Sequence, residues 1–340
     1  MTRDDQLTAR LARVSLGQFP TALEAAPRLS AEPGFPPVWV KREDLSGLAL
    51  GGNKSRQLEF LMAAAMAGGA QAVITTAAAQ SNFCRATAAA GARLGIQVGL
   101  LLRGTGQEAL QGNLLLDRLF GAELRFIPTR DPYDPRVPGW IEEFVADFHR
   151  RGLQTHVLHL PGRTGTLGAA AMVCTGEEMV RQFAAQGIVP QAVFLAAGSG
   201  LTVAGLALAF KALGLPTRVV GVSVQKTADF MVPLIIERAN AAAGLLGLGT
   251  RIDARDFDFD DGHIGTAYGV PTQASVEAIQ IAGRSEGLVL DPVYSGKGFA
   301  GMLAQLRAGR RPGPAPVVFF HSGGAPGLFA NASQLARWLH

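Results

Sequence analysis

A chain of 340 residues with 48% hydrophobic content can bury a sizeable core and has room for two domains or one large α/β unit. Its 31 Lys and Arg against 27 Asp and Glu give a formal net charge of only +4, and no basic run with interleaved aromatics occurs, so a nucleic-acid partner is not expected. Two cysteines without a ladder of spacings, six histidines without metal-ligand spacing and a polar, charged N-terminus argue against a disulfide scaffold, a metal site and a secretory leader.

Residues up to about 28 read as an N-terminal segment with a turn at Phe19-Pro20-Thr21-Ala22-Leu23, followed by a Pro-rich stretch at 32–37. Beyond it, apolar runs at 38–40, 72–76, 97–102, 124–127, 157–160, 192–197, 218–224, 288–290 and 317–320 predict strands, nearly all of them buried on both faces. Helical spacing at 82–94, 108–120, 142–150, 166–186 and 203–213 falls between them, which predicts an α/β protein with mainly parallel sheets. Segments 128–138 and 309–316 read as surface loops, and Pro161-Gly162-Arg163-Thr164-Gly165 as a boundary between two sets of strands. The uncharged run 192–210 is long enough to raise a membrane helix, but Gly198-Ser199-Gly200 breaks it in the middle, so strand, loop and helix are expected there and no membrane partner.

Four stretches place polar groups where a strand or loop gives way to a helix. Gly51-Gly52-Asn53-Lys54-Ser55-Arg56 puts one of only five lysines after a glycine pair, as a phosphate-binding cation or an amine nucleophile. Gln80-Ser81-Asn82 offers an N-cap and free N–H groups for a carboxylate. Gly198-Ser199-Gly200-Leu201-Thr202 combines small residues, two hydroxyls and a helix start, which suits a phosphate dianion, and no nucleotide P-loop signature is present. Tyr294 and Ser295 follow the 288–290 run, and Tyr268 adds a second phenol on a turn. Taken singly, each reads equally well as ordinary structure: a solvated lysine, a cap, a packing turn, an amphipathic tyrosine.

Together, Lys-Arg-Glu-Asp followed by Gly-Gly-Asn-Lys-Ser-Arg, then Gln-Ser-Asn, Gly-Ser-Gly-Leu-Thr, Tyr-Gly-Val-Pro, Leu-Asp-Pro-Val-Tyr and His-Ser-Gly-Gly-Ala-Pro-Gly-Leu-Phe resemble one family. It is that of the D-cysteine desulfhydrases and 1-aminocyclopropane-1-carboxylate (ACC) deaminases, within the tryptophan-synthase-β-like enzymes dependent on pyridoxal 5'-phosphate (PLP). The resemblance runs from about Phe19 to Phe329. It implies PLP fold type II, with two open, mainly parallel sheets flanked by helices and the active site in an interdomain cleft. The large domain would comprise 1–56 and 165–340, and the small one 57–164.

The resemblance further implies that Lys54 attaches the cofactor, that Asn82 contacts its ring hydroxyl, that Gly198 to Thr202 bind its phosphate and that Ser295 meets the pyridine nitrogen. Gln80, Ser81 and Asn82 would hold the substrate, with Ser81, Tyr268 and Tyr294 facing the chemistry. ACC deaminases carry a glutamate at the position of Ser295, whereas a neutral hydroxyl resembles the threonine of the desulfhydrases and favours elimination of a Cβ leaving group. The chain departs from the family at Phe83, where histidine is usual, and at Ala77-Ala78-Ala79, where glycine is usual. A cytoplasmic, homodimeric lyase converting D-cysteine to pyruvate, sulfide and ammonia is therefore the leading expectation. Its rivals are an ACC deaminase, a cysteate or cysteine-conjugate lyase, a β-replacement enzyme, and a PLP-binding sensor or scaffold.

Overall fold

A computed structural model describes residues 6–131, 134–336 and 338 of the chain. Residues 1–5 of the polar N-terminus and residues 132–133 of the expected 128–138 loop lie outside the described residues. In chain order, β1 (Leu23–Ala25), the short helix α1 (Pro27–Ser30) and β2 (Val38–Arg42) lead through a tight 3₁₀ turn to α2 (Lys54–Ala67). Strands and helices then alternate as β3 (Ala72–Ala78), α3 (Asn82–Leu94), β4 (Gln97–Arg103), α4 (Gly112–Leu119), β5 (Glu123–Ile127), α5 (Val137–Arg150) and β6 (Thr155–Leu158). A π-helical turn at Leu160–Thr164 runs without a break into α6 (Gly165–Gln186), followed by β7 (Ala192–Ala197), α7 (Leu201–Ala212), β8 (Arg218–Ser223), α8 (Ala228–Leu246) and β9 (Phe257–Asp260). The chain ends through α9 (Gln273–Glu286), α10 (Ser295–Arg307), β10 (Val317–His321), α11 (Ala325–Ala330) and α12 (Ala332–Ala336).

The strands form two sheets. The larger has the order β1-β2-β10-β7-β8-β9 and is parallel except for the edge strand β1; the smaller has the order β5-β4-β3-β6 and is parallel throughout. All four strands of the smaller sheet lie between Ala72 and Leu158. Parallel strands must be joined by crossovers, and helices on both faces bury them, which is why Val73, Ile74, Leu100 to Leu102, Val193 to Leu195 and Val317 to Phe320 are fully enclosed. Among the described residues no helix is long and apolar enough to cross a membrane, and α7 begins directly after the glycine loop that interrupts the uncharged run.

One expected strand is absent. The 288–290 run buries Leu288 and Leu290 but leaves Val289 exposed, and no neighbouring strand pairs with it, so it is irregular chain leading into the turn at Asp291. The sheets instead gain β1 and β9, whose Leu-Glu-Ala and Phe-Asp-Phe-Asp sequences are too short or too polar to show as buried runs and suit edge positions. Helix α5 begins at Val137, earlier than the 142–150 expected, because Pro138 sits in its first turn, where a missing N–H costs nothing.

Candidate active site

A cavity of about 360 Å³ opens at the carboxyl-terminal ends of strands from both sheets, lined by Lys54 and by the segments after β3, β6, β7 and β10. Parallel α/β sheets present their loops and helix N-termini at that end.

Lys54 is the first residue of α2. The loop before it folds back sharply: Ala49, Leu50, Gly51 and Gly52 all have positive φ, and a Cβ on Gly51 would stand 1.8 Å from the carbonyl oxygen of Asp44. Only glycine fits there. Arg85 of α3 donates to the Gly51 carbonyl at 2.8 Å and braces the turn. Asn53 ties it to two other loops, its backbone N–H donating to the Ser322 carbonyl at 3.1 Å and its Nδ2 to Thr202 Oγ1 at 2.9 Å. Burial pushes the Lys54 ammonium down to about 8, and among the described residues Nζ has no hydrogen-bond or ion-pair partner. The amine is therefore poised for nucleophilic and proton-transfer chemistry near neutrality.

Behind Lys54, α2 is anchored by a buried quartet of charges. Arg56 donates from Nε to Glu43 at 2.7 Å and from Nη2 to Glu178 of α6 at 2.7 Å, while Lys41 of β2 also donates to Glu178. Burial alone would raise the Glu178 carboxyl, but Arg56 and Lys41 hold it at about 2. Two cations and two anions thus compensate one another in a dry setting.

At the head of α7, Gly198 to Thr202 all line the cavity. Gly200 has φ +77°, and a Cβ there would lie 2.6 Å from Ile235 Cγ1. The first N–H groups of α7 have no intrahelical acceptor, so together with the Thr202 and Ser199 hydroxyls they form an anion seat. Arg238 of α8 reaches the same wall and donates to the Ser199 carbonyl.

Ser81 caps α3, its Oγ accepting from Phe83 N at 3.1 Å and Cys84 N at 3.2 Å, which leaves its hydroxyl proton free to donate. Asn82 accepts from Asn113 Nδ2 at 3.0 Å through Oδ1, so its own Nδ2 is the donor that remains. Phe83 lines the cavity as an apolar surface. Gln80 does not reach it: its amide bridges Gln111 and Asn113, fastening α4 behind the Ser81 turn. The hydroxyls of Tyr268 and Tyr294 share a short hydrogen bond on the cavity wall, and burial raises both phenols above their ordinary pKa, Tyr294 the more strongly.

Ser295 is placed differently from expectation. Its hydroxyl donates to Asp291 Oδ1 at 2.7 Å and accepts from Asp291 N at 2.8 Å, and the side chain is fully buried away from the cavity wall. Asp291 needs this arrangement, because among the described residues its enclosed carboxylate is satisfied by the N–H groups of Val293, Tyr294 and Ser295 and by that hydroxyl. The serine that does line the cavity is Ser322, directly after β10. His159 after β6 and Arg103 at the end of β4 also line it and had drawn no functional reading. Burial and the nearby Arg103 lower the His159 pKa, which disfavours the charged imidazolium.

This set fits PLP: an unpartnered amine for the aldehyde, an N–H-rich helix start for the phosphate, an oriented amide donor at Asn82 and a hydroxyl at Ser322. Comparison with known proteins gives the same answer. A family model described as pyridoxal-phosphate dependent enzyme matches residues 14–323. A putative 1-aminocyclopropane-1-carboxylate deaminase of Pyrococcus horikoshii is 34% identical over 334 residues, 98% of each chain. D-cysteine desulfhydrase of Salmonella paratyphi A is 35% identical over 326 residues, 94% of this chain and 96% of the relative. A crystal structure of an ACC deaminase homologue matches with a TM-score of 0.90 at 33% identity, over the full length of both chains.

Proposed function

The chain belongs to the pyridoxal-phosphate-dependent enzymes, and within that family we propose that it is a lyase eliminating a Cβ substituent from a small amino acid, with D-cysteine the simplest substrate. PLP, when bound, supplies the electron sink that acidifies the Cα–H bond of an amino acid. Lys54 carries the group and then takes the Cα proton, a task suited to an amine whose pKa burial brings to about 8. The α7 N-terminus would hold the phosphate. Asn82, its amide oriented by Asn113, would donate to the ring hydroxyl. The Ser81 hydroxyl and the Asn82 backbone N–H at the start of α3 take the substrate carboxylate. Tyr294, hydrogen-bonded to Tyr268, passes a proton to the departing sulfur.

The observation that carries elimination over cyclopropane opening is the absence of an available carboxylate on the wall. Asp134 is the one acidic residue lining the cavity among the described residues, and Arg136 clamps it at 3.0 and 2.7 Å. The ring nitrogen is thereby left to a neutral hydroxyl, and we assign that contact to Ser322 in place of Ser295. A nitrogen facing a hydroxyl stays unprotonated, which suffices to expel a good leaving group and serves poorly to open a carbon ring. The test is a panel of D- and L-cysteine, β-chloroalanine and ACC, with sulfide, pyruvate and ammonia measured. Pyruvate release from a β-substituted substrate should exceed ammonia release from ACC by at least about 100-fold, the factor that a contrast of a few kcal/mol in barrier produces; the reverse order would overturn the reading.

The working assembly in this reading is a homodimer in a reducing cytoplasm, where the buried thiols of Cys84 and Cys174 stay reduced. Elution as a monomer on calibrated size exclusion would contradict the dimer.

A further inference from the structure

Tyr268 rides on the stretch 261–272 between β9 and α9, which has no regular structure and is mostly exposed from Gly265 to Val270. Packing therefore does little to fix it. Gly265 has φ +78°, and a Cβ there would lie 2.4 Å from Thr272 Cγ2, so the chain turns back tightly at the foot of the loop. Among the described residues, two hydrogen bonds tie 264–271 to the rest of the chain: the phenol pair itself, and a bond from Lys297 Nζ to the Ile264 carbonyl at 2.6 Å.

The side chain of Lys297 is completely enclosed, and that carbonyl is its ammonium's single hydrogen-bond partner among the described residues. Enclosing an ammonium carries a cost that an apolar side chain of similar length would avoid, and the bond to Ile264 is what that cost secures. Burial lowers the Lys297 pKa, with the nearby Asp291 carboxylate acting the other way. Tyr294 caps α10 and Lys297 is the third residue of that helix. One helical turn thus carries both the second phenol and the strut under the loop of the first.

We propose that Lys297 is a positioning residue for proton transfer to the leaving group: its ammonium pins the Ile264 carbonyl, which places the Tyr268 hydroxyl against that of Tyr294. This rests on the elimination reading above and adds the residue that keeps its proton donor in place. As the Cβ–S bond breaks, the bonding pair stays on sulfur and takes the Tyr294 proton, while the Tyr268 hydroxyl turns to donate to the phenol oxygen left behind. Burial strongly disfavours a phenolate at Tyr294, so that second hydroxyl is needed. Lys54, holding the proton from Cα, and Tyr294, having given one up, return to their starting states by exchange with water.

A departing thiolate needs that proton and a departing chloride does not. In the holoenzyme, kcat/KM for cysteine, as whichever enantiomer is turned over, is compared with that for β-chloroalanine. Lys297→Met should lower the cysteine to β-chloroalanine ratio about tenfold or more, a share of the roughly 10²–10⁴-fold that a positioned acid supplies. Gly265→Ala, which spares the buried lysine and forces the loop away from Thr272, should lower the ratio in the same direction. Tyr268→Phe should lower it too, and adding Lys297→Met to that variant should cost nothing further, because the lysine acts through the same hydroxyl. An unchanged ratio in Lys297→Met, an equal loss for both substrates, or additive losses in the double variant would overturn the proposal. Should Lys297→Met not fold, the ratio in Gly265→Ala decides, and an unchanged value there overturns it. Should Tyr294→Phe leave the ratio intact, or wild type eliminate from neither substrate, the proton-donor reading fails by itself. The Lys297 assignment is then read by NMR of holoenzyme isotope-labelled at tyrosine Cζ. Lys297→Met should shift the titrations of both phenols, and Tyr268→Phe that of Tyr294; titrations unchanged in Lys297→Met would refute the assignment.

Discussion

Replacing Glu178 with glutamine keeps the size of the side chain and removes one of the four charges that anchor the lysine helix. Arg56 and Lys41 would then face Glu43 alone, leaving an uncompensated cation at a site where both side chains are almost fully enclosed. Breaking a buried pair in this way costs about 3–5 kcal/mol. Linkage gives a similar size: a carboxyl held at about 2 where 4.5 is ordinary contributes roughly 3 kcal/mol. Because the folded-state pKa is depressed, that contribution is fully present above pH 4.5 and is lost as the pH falls from there through about 2. Urea unfolding of the holoenzyme at pH 7 should show Glu178→Gln destabilised by roughly 3 kcal/mol, and the gap to wild type should narrow as the pH drops below 4.5. Adding Lys41→Met to that variant should restore part of the loss by removing the orphaned cation. An unaltered urea midpoint for the single variant, or further destabilisation in the double variant, would refute the account of the quartet.

Apo-enzyme should take up PLP covalently at a rate that rises with pH and levels off above about 8, since the uncharged Lys54 amine attacks; a rate still climbing past pH 10 would mean that burial does not depress this lysine. Ser322→Ala should alter cofactor absorbance and lower elimination at least about tenfold, the effect of one lost hydrogen bond to the ring, whereas Ser295→Ala should cost stability through the unsatisfied Asp291 and leave the spectrum alone. Exchanged phenotypes would return the nitrogen contact to Ser295. Gly200→Asp should weaken PLP retention by more than about 100-fold, through like charge at the phosphate seat and collision with Ile235, and unchanged equilibrium dialysis would make the loop purely structural.

The fold was legible because parallel strands buried on both faces read as uninterrupted apolar runs, as at Val73-Ile74 and Val193-Phe194-Leu195. The same logic misread Leu288-Val289-Leu290, because three apolar residues do not reveal whether a neighbouring strand is there to pair with them. That Lys54, Ser81, Asn82 and the Gly198 to Thr202 loop gather on one cavity wall was legible because helix starts carry recognisable chemistry. Ser295 looked equally suitable by that rule, but the claim of Asp291 on its hydroxyl is a tertiary fact invisible in sequence. Ser322, His159 and Arg103 sit at or directly after strand ends, so a search of every strand terminus would have found them; Ser322 lies in the quoted His-Ser-Gly-Gly turn but had drawn no role of its own, and His159 and Arg103 belong to no cap or glycine motif.

Asn53 joins the lysine turn to Thr202 on one side and to Ser322 on the other through bonds of 2.9 and 3.1 Å. In the proposed reading the phosphate seat, the attachment point and the hydroxyl for the ring therefore share a single jig, whose spans are set by bonds within the chain. Such a jig measures length. On that reading a cofactor analogue whose phosphate arm is longer or shorter by one methylene would not occupy all three points at once, so the pocket would discriminate among vitamers by span as well as by charge, and relaxing that ruler calls for changing Asn53, whose side chain holds Thr202 from the cavity wall.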